Sequence, residues 1–443
     1  MNEKRKKLVS LLGVLVMAAI LPSVLKLANN TVRLWVGAEG RLAAIAVETN
    51  HVLGPLPKPW QALAQGGENL QGFLDGKTKR VGAMQPKHIR IDHVFDQFDL
   101  ISRENGEIKY NWTKLDKVLL QIKETGATPF ISLSYMPEVM ATTDIISEPK
   151  DWNEWSRLVQ KTIEHISGDL GFEGVYYEVW NEPDLFGGWK MGGKKDYRTL
   201  YLYSARGAAN AKNVKDFKLG GPGTTGLYKN WMDNFFPYVL QNNLRLDFFS
   251  WHRYDLDIQR YNRDVAEVDL WIEKHPYFAK VEKIVTEFGP KSEAGGENDT
   301  KLGAAHLVAV MRELAYKIKF GFVFSVDGAW GIIDKPREQA LLMLSSLGDK
   351  RLGVTGEGSW VRALGAQKGD TYQVLLTNYD PKGKHYEIVP VTFMNLKERE
   401  FKVRERFLGG GGRSIEVATT EAILQYEIPL TPNSVVLIEL EPK

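Results

Sequence analysis

The sequence predicts an α/β protein, a (β/α)8 TIM barrel followed by a C-terminal β-sandwich domain. Between residues 58 and 348, short apolar runs rich in β-branched and aromatic residues alternate eight times with stretches of helical period. Eight βα units in that length match a barrel, for which about 250 residues is typical. After Gly348 the helical period gives way to short alternating strands separated by turn clusters, which is a sandwich pattern.

The eight barrel strands are expected at residues 59–65, 87–93, 128–135, 174–182, 217–222, 247–252, 283–288 and 320–327. Helical period marks residues 114–124, 151–167, 195–213, 228–240 and 302–319. A doubly wound open sheet would want a Gly-rich phosphate turn after an early strand, and none stands there. In the sandwich region, 349–443, strands are expected at 359–366, 372–378, 386–393, 400–407, 422–428 and 434–440. Turn clusters such as Asp380-Pro-Lys-Gly-Lys384 and Gly409-Gly-Gly-Gly-Arg413 separate them. Segment 29–57 carries one more strand, 42–48, expected to pair into the sandwich.

Residues 1–28 read as a targeting segment. Lys4, Arg5, Lys6 and Lys7 precede an apolar run from Leu8 to Leu21, the pattern of an export signal. Counted on to Ala28, the stretch approaches the roughly 20 residues that span a bilayer. A removed signal and an uncleaved membrane anchor both fit, and both put the body outside the cytoplasm.

Composition excludes several function classes. The 57 Lys and Arg against 55 Asp and Glu leave a net charge of +2, with no basic footprint for nucleic acid. The chain has no cysteine, which removes disulfides, thiolate metal sites, iron–sulfur clusters and cysteine nucleophiles. Its eight His include no His-x-His pair, so no metal centre and no cofactor are expected.

In a barrel of this kind, chemistry sits at the C-terminal ends of the strands. The fourth strand ends Tyr176-Tyr-Glu-Val-Trp-Asn-Glu-Pro-Asp184 and the seventh Lys283-Ile-Val-Thr-Glu-Phe-Gly-Pro290. Each places a carboxylate, Glu182 and Glu287, where an apolar strand meets Pro or Gly. Glu is a poor strand residue, so either each pairs with a surface cation or both serve a cavity. Two carboxylates facing one cavity can divide acid and base work, as cleavage of a glycosidic bond requires. The substrate class this points to is carbohydrate.

These residues resemble a known family. Trp180-Asn-Glu-Pro183 on a fourth barrel strand, with Thr286-Glu287 on the seventh, looks like the retaining glycoside hydrolases of clan A, and within them family 39, the β-xylosidases and α-L-iduronidases. Val52–Trp60, Tyr110–Asp116, Pro129–Pro137, Leu219–Gly223 and Asp247–His252 follow that family's order. Trp189 and Lys190 resemble its xylosidase version. The resemblance implies that Glu182 is the acid/base and Glu287 the nucleophile. It implies that Asn181 holds the sugar 2-hydroxyl. Arg90 would keep the nucleophile ionised, and Tyr254 would donate to it. His252 and Asp327 would line the sugar site, and Trp330 would stack on a ring.

Two departures from the family pattern stand out. Asp92 occupies the position of a usual His on the second strand, and His93 follows it, on the opposite face by strand parity. Tyr254 stands where the iduronidases carry a uronate-reading Lys, which argues against a uronic acid. A transglycosidase or an endo-acting glycosidase linked to exopolysaccharide processing uses the same carboxylates and stays open. A carbohydrate-binding pseudoenzyme would keep Trp189, Trp330 and the sandwich but lose one carboxylate, and both are present.

Overall fold

A computed structural model describes residues 40–443. The targeting segment, residues 1–28, lies outside the described residues, as do residues 29–39. Among the described residues no helix is long and apolar enough to cross a membrane.

After β1 (Ile45–Pro55), the chain runs through β2 (Ala62–Gln65), β3 (His88–Ile91), a surface hairpin of β4 (Ile101–Glu104) and β5 (Glu107–Tyr110), β6 (Thr128–Leu133), β7 (Val175–Val179), β8 (Phe217–Thr224), β9 (Phe248–Tyr254), β10 (Glu282–Gly289) and β11 (Phe320–Phe324). All but β1 and the hairpin close into one parallel barrel, in the order β2-β3-β6-β7-β8-β9-β10-β11 and back to β2. The outer ring holds α1 (Thr78–Ala83), α2 (Thr113–Glu124), α3 (Trp152–Ile163), α4 (Tyr197–Asn210), α5 (Lys229–Gln241), α6 (Ile258–Lys274), α7 (Lys301–Leu314) and α8 (Pro336–Ser345).

Strand parity sorts the barrel residues. Ala62, Phe130, Tyr176, Phe248, Ile284 and Phe320 pack inside it, whereas their neighbours Ile131, Tyr177, Phe249 and Val285 join the larger core under the helices. Helix starts are set by short polar side chains. Asp151, Asp196, Asp257 and Thr300 each accept a hydrogen bond from the backbone N–H two residues on. The helix expected at 151–167 is α-helical to Ile163 and then widens into a π-turn over Glu164–Asp169. The stretches of helical period named above leave out α1, α6 and α8. α8 is buried on most sides and so shows little of the apolar stripe that betrays a surface helix.

The C-terminal strands are β12 (Lys350–Thr355), β13 (Val361–Lys368), β14 (Thr371–Asn378), β15 (Glu387–Met394), β16 (Glu400–Phe407), β17 (Ser414–Ala418), β18 (Ile423–Leu430) and β19 (Ser434–Pro442). Together with β1 they make one nine-stranded hydrogen-bonded sheet, ordered β17-β16-β19-β14-β13-β12-β1-β15-β18. The sheet curls so that both wings share a core: Val391 and Phe393 from one side join Val403 and Ile438 from the other. β1 closes it, antiparallel to β12 and parallel to β15. Leu364, Leu375 and Leu437 point the other way, into the barrel's outer core. β14 is therefore buried on both faces, and α7, lying under the sheet, is apolar nearly all round.

Candidate active site

The rule that sorts the barrel core also places the site. On β3, His88, Arg90 and then Asp92 point inward. On β7, Tyr176 and Glu178 do. On β9, Phe248, Ser250, His252 and Tyr254 do. Above the apolar floor lies a polar layer. Arg90 and Glu178 are fully buried, with Arg90 Nη2 2.7 Å from Glu178 Oε2. Ser250 Oγ donates to the second Glu178 oxygen at 2.6 Å. A Cβ on Gly223, whose φ is +61°, would sit 2.8 Å from Glu178 Oε1, so only glycine fits there.

The catalytic candidates stand on this layer. Arg90 Nη1 donates to Glu287 Oε1 at 2.9 Å, and Nη2 to Asn181 Oδ1 at 2.7 Å. Tyr254 OH donates to the other Glu287 oxygen at 2.8 Å. His252 Nδ1 lies 2.9 Å from Glu182 Oε1 and 3.5 Å from Glu287 Oε2. Both neighbours of Nδ1 are carboxyl oxygens, so an Nδ1–H has an acceptor on either side. One oxygen each of Glu182 and Glu287 lie within 4.8 Å of each other. Retaining glycosidases hold their carboxyl groups about 5–5.5 Å apart and inverting ones about 6.5–9.5 Å. The spacing here belongs to the retaining class.

Local backbone distortion aims these groups. Trp180 and Glu182 adopt left-handed φ of 73° and 45°, turning the chain sharply after β7. Glu182 N–H then donates to Gly223 O at 2.9 Å, which ties the turn to β8. On β10 a bulge lies between Val285 and Glu287. Thr286 is the extra residue, and Glu287 pairs with His252. Simple alternation from Ile284 would have turned Glu287 outward; the bulge returns it to the cavity.

Charge is closely matched. Burial opposes the charge on Arg90, but Glu178, Glu287 and Asp92 around it raise its pKa. Burial raises Glu287, opposed by His252 and Arg90. Burial would lower His252, but Glu287 and Glu182 outweigh it and raise the imidazole above its ordinary value.

The structure brings Glu182, Glu287, Asn181, Arg90, His252 and Tyr254 together, and puts Asp92 and Trp330 on the wall of the same cleft of about 400 Å³. Asp327 is elsewhere engaged. Its carboxylate sits 2.8 Å from Lys77 Nζ and accepts from Asn69 Nδ2 at 2.7 Å, and it does not line the cleft. His93 does line it, against strand parity, because its φ of 51° turns the chain. Trp189 is a core residue, 1% exposed, packed edge-on to Trp180.

Sequence reading missed Glu178 and Tyr135. Glu178 had a signal: a carboxylate at an inward position of an otherwise apolar strand. Tyr135 OH accepts from Asn181 Nδ2 at 2.8 Å and so fixes the amide against Arg90. Glu182, His252 and Glu287 are also grouped closely enough to ligate a metal. The set fits a divalent ion poorly, because both Glu287 oxygens already accept from Arg90 and Tyr254, and the Arg90 guanidinium stands where a second cation would be repelled.

The profile of the family described as glycosyl hydrolases family 39 matches residues 44–307. A β-xylosidase of Geobacillus stearothermophilus is 25% identical over 76% of this chain and 82% of its own length. Among solved structures, the GH39 enzyme of Xanthomonas axonopodis pv. citri superposes with a TM-score of 0.76 at 18% identity, covering 91% of this chain and 98% of that one. A monomeric β-xylosidase of Caulobacter crescentus CB15 gives 0.75 at 22% identity, covering 90% and 99%. These two likenesses carry the fold, a barrel with an attached β-domain. The profile match, which runs over more than half of the chain, carries the family, and this protein is a glycosidase of glycosyl hydrolases family 39.

Proposed function

We propose that the protein hydrolyses β-xylosides by double displacement, with Glu287 as nucleophile and Glu182 as acid/base. The observation that carries the assignment is the asymmetry of the two carboxylates. Both Glu287 oxygens are held by donors, Arg90 and Tyr254, which favour the ionised form and fix its direction. Glu182 has a single side-chain contact, His252, and its other oxygen faces the cleft.

In the first step a Glu287 oxygen attacks the anomeric carbon. The bond from that carbon to the leaving oxygen breaks, and the Glu182 proton passes to that oxygen. In the second step Glu182, now a carboxylate, takes a proton from water as the water oxygen attacks the same carbon. The ester to Glu287 breaks, and both residues return to their starting states. Two inversions leave the configuration retained. Asn181, locked between Arg90 and Tyr135, is set to hold the hydroxyl next to the reacting carbon. The xyloside preference rests on the named relative and on Tyr254, which is committed to Glu287 and offers no cation to a uronate.

The test is hydrolysis of 4-nitrophenyl β-xyloside followed by proton NMR, in which β-xylose is expected before mutarotation. First appearance of α-xylose would refute retention, and no turnover of any β-xyloside would refute the substrate assignment. We also infer, from the Lys4–Lys7 cluster before the Leu8–Leu21 run, that the catalytic body works outside the cytoplasm. Recovery of the full-length chain in a soluble cytoplasmic fraction would contradict that.

A further inference from the structure

Asp92 is the one buried carboxylate of the cleft wall that the mechanism above does not use. It follows Arg90 at the inward positions of the second barrel strand and is 3% exposed. Its Oδ1 is buried with no hydrogen-bond partner among the described residues. No charged side chain around it makes a hydrogen bond to that oxygen. Arg90 serves Glu178, Glu287 and Asn181. His93 Nδ1 is bound to Asp96 Oδ2 at 2.7 Å, and His252 Nδ1 to Glu182. A buried acceptor left in this state carries an uncompensated desolvation penalty, which a folded protein keeps where a ligand relieves it. Burial accordingly pushes the Asp92 carboxyl above the ordinary range.

The space before Asp92 is kept open by Gly66, at which a Cβ would meet the Phe324 ring at 2.9 Å and approach Asp92 Oδ2 to 3.7 Å. Gly66, Phe324 and Asp92 line the same cleft as Glu182 and Glu287.

We propose that Asp92 is a specificity-determining residue that accepts hydrogen bonds from ring hydroxyls of the glycone beyond its 2-hydroxyl, and thereby selects an uncharged sugar over a uronic acid. This rests on the reading of the cleft as a glycosidase site. A hydroxyl supplies the missing donor. A sugar carboxylate would meet the like charges of Asp92 and Glu287 across the cleft, and the Arg90 guanidinium between them is already bound to Glu178, Glu287 and Asn181.

The experiment compares wild type with Asp92→Asn. It measures thermal unfolding without ligand, and kcat/KM on 4-nitrophenyl β-xyloside, its 3-deoxy and 4-deoxy analogues and 4-nitrophenyl β-glucuronide. Removing the uncompensated charge is expected to leave the free protein at least as stable. The variant should lose roughly ten- to a hundredfold in kcat/KM on the xyloside. At one of the two positions, deleting the hydroxyl should cost wild type about tenfold or more and the variant threefold or less. The glucuronide should be at least a hundredfold poorer than the xyloside for wild type.

A lower melting temperature of Asp92→Asn together with deoxy penalties that simply multiply at both positions would overturn the proposal in favour of a structural role. Equal wild-type turnover of xyloside and glucuronide would also overturn it. Calorimetric binding of the same xylosides separates the two readings. Hydroxyl-dependent binding that is lost in Asp92→Asn supports this inference even without turnover, which would then count against the hydrolase assignment alone. A wild type that neither cleaves nor binds the xyloside overturns both.

Discussion

Arg90 and Glu178 form an ion pair with no solvent exposure on either side, and it stands directly under the nucleophile. The pair explains how a guanidinium is kept at the barrel centre. Glu178 balances it on one side, while its remaining N–H groups reach up to Glu287 and Asn181. Removing one partner of a buried pair strands the other charge and costs about 3–5 kcal/mol. Glu178→Ala should lower stability by that order in chemical denaturation. Activity should fall even where the variant is folded, since Arg90 loses its anchor. Glu178→Gln, which keeps an acceptor, should be milder on both counts. Unchanged activity in a folded Glu178→Ala would show that the pair does not position the nucleophile.

Tyr254 makes the second contact to Glu287. A hydrogen bond to the ionised form favours ionisation, so Tyr254→Phe should raise the pKa of the nucleophile. Glu287 already titrates above the ordinary 4.5 because it is buried. The acid limb of kcat/KM against pH, which reports the free enzyme, should therefore lie above about 4.5 in wild type and move higher in Tyr254→Phe. A drop of roughly 10- to 100-fold in kcat is expected, the size of a lost charge-assisted hydrogen bond of about 1.5–3 kcal/mol. A limb that stays fixed would remove Tyr254 from this role.

His252 gives a stability prediction with a definite sign. Its folded pKa is raised above 6.5 by Glu287 and Glu182, against the opposing effect of burial. A raised cationic group binds its proton more tightly when folded. Its contribution is thus fully present below pH 6.5 and is lost as pH rises through the folded value. The melting-temperature gap between wild type and His252→Ala should be widest below pH 6.5 and narrow as pH rises above it. A gap that widens with pH would show that the imidazole is held neutral.

Much of this site was legible in the sequence because a strand has a period of two. Arg90 between two isoleucines, and Ser250, His252 and Tyr254 spaced by two, are bound to share one face. Asn181 and Glu182 are adjacent and owe nothing to that period; the Trp-Asn-Glu-Pro run marks them through the family it resembles. What alternation cannot show is where it breaks. Thr286 and Glu287 exchange faces through a bulge, and His93 swings into the cleft through a left-handed φ. Asp327 illustrates the opposite error. It stands just past the eighth strand, near the cleft in sequence, yet Lys77 and Asn69 from the first loop draw its carboxylate away. Those partners are about 250 residues distant in the chain and share no pattern with it. In the C-terminal domain, alternation located β14 at 372–378 although it is buried on both faces, whereas the short strands β12 and β17 match none of the expected segments.

Trp330 is held by a residue outside the cleft. Arg337 on α8 is 2% exposed and donates to Phe324 O at 2.8 Å, where the loop after the eighth strand begins, and to Trp330 O at 2.7 Å in the middle of that loop. Burial lowers its pKa to about 10. Arg337→Met should free this loop, raising KM several-fold with a smaller effect on kcat. Trp330→Ala should reproduce the KM effect, and a kcat effect exceeding the KM effect would place the loop's role in the chemistry instead.

The last prediction separates the two carboxylates. A nucleophile is needed for every substrate because it forms the covalent intermediate. A general acid matters most when the leaving group is poor. Glu287→Ala should therefore abolish turnover of all glycosides. Glu182→Ala should still react with 2,4-dinitrophenyl β-xyloside, whose phenolate leaves unaided, and then stall as the ester on Glu287 because no base activates water. Azide needs no such base. Added azide should attack the anomeric carbon, break the ester and release β-xylosyl azide, the configuration restored by two inversions. The small anion fits the gap left by the Glu182 side chain, which stands within 4.8 Å of Glu287 in the intact site. Mass spectrometry of the stalled Glu182→Ala protein should show one added pentose on the peptide that carries Glu287. If Glu287→Ala keeps activity on the activated substrate and Glu182→Ala loses it, the two roles are reversed. An α-configured azide product would mean a single displacement, and the retaining mechanism would fall with it.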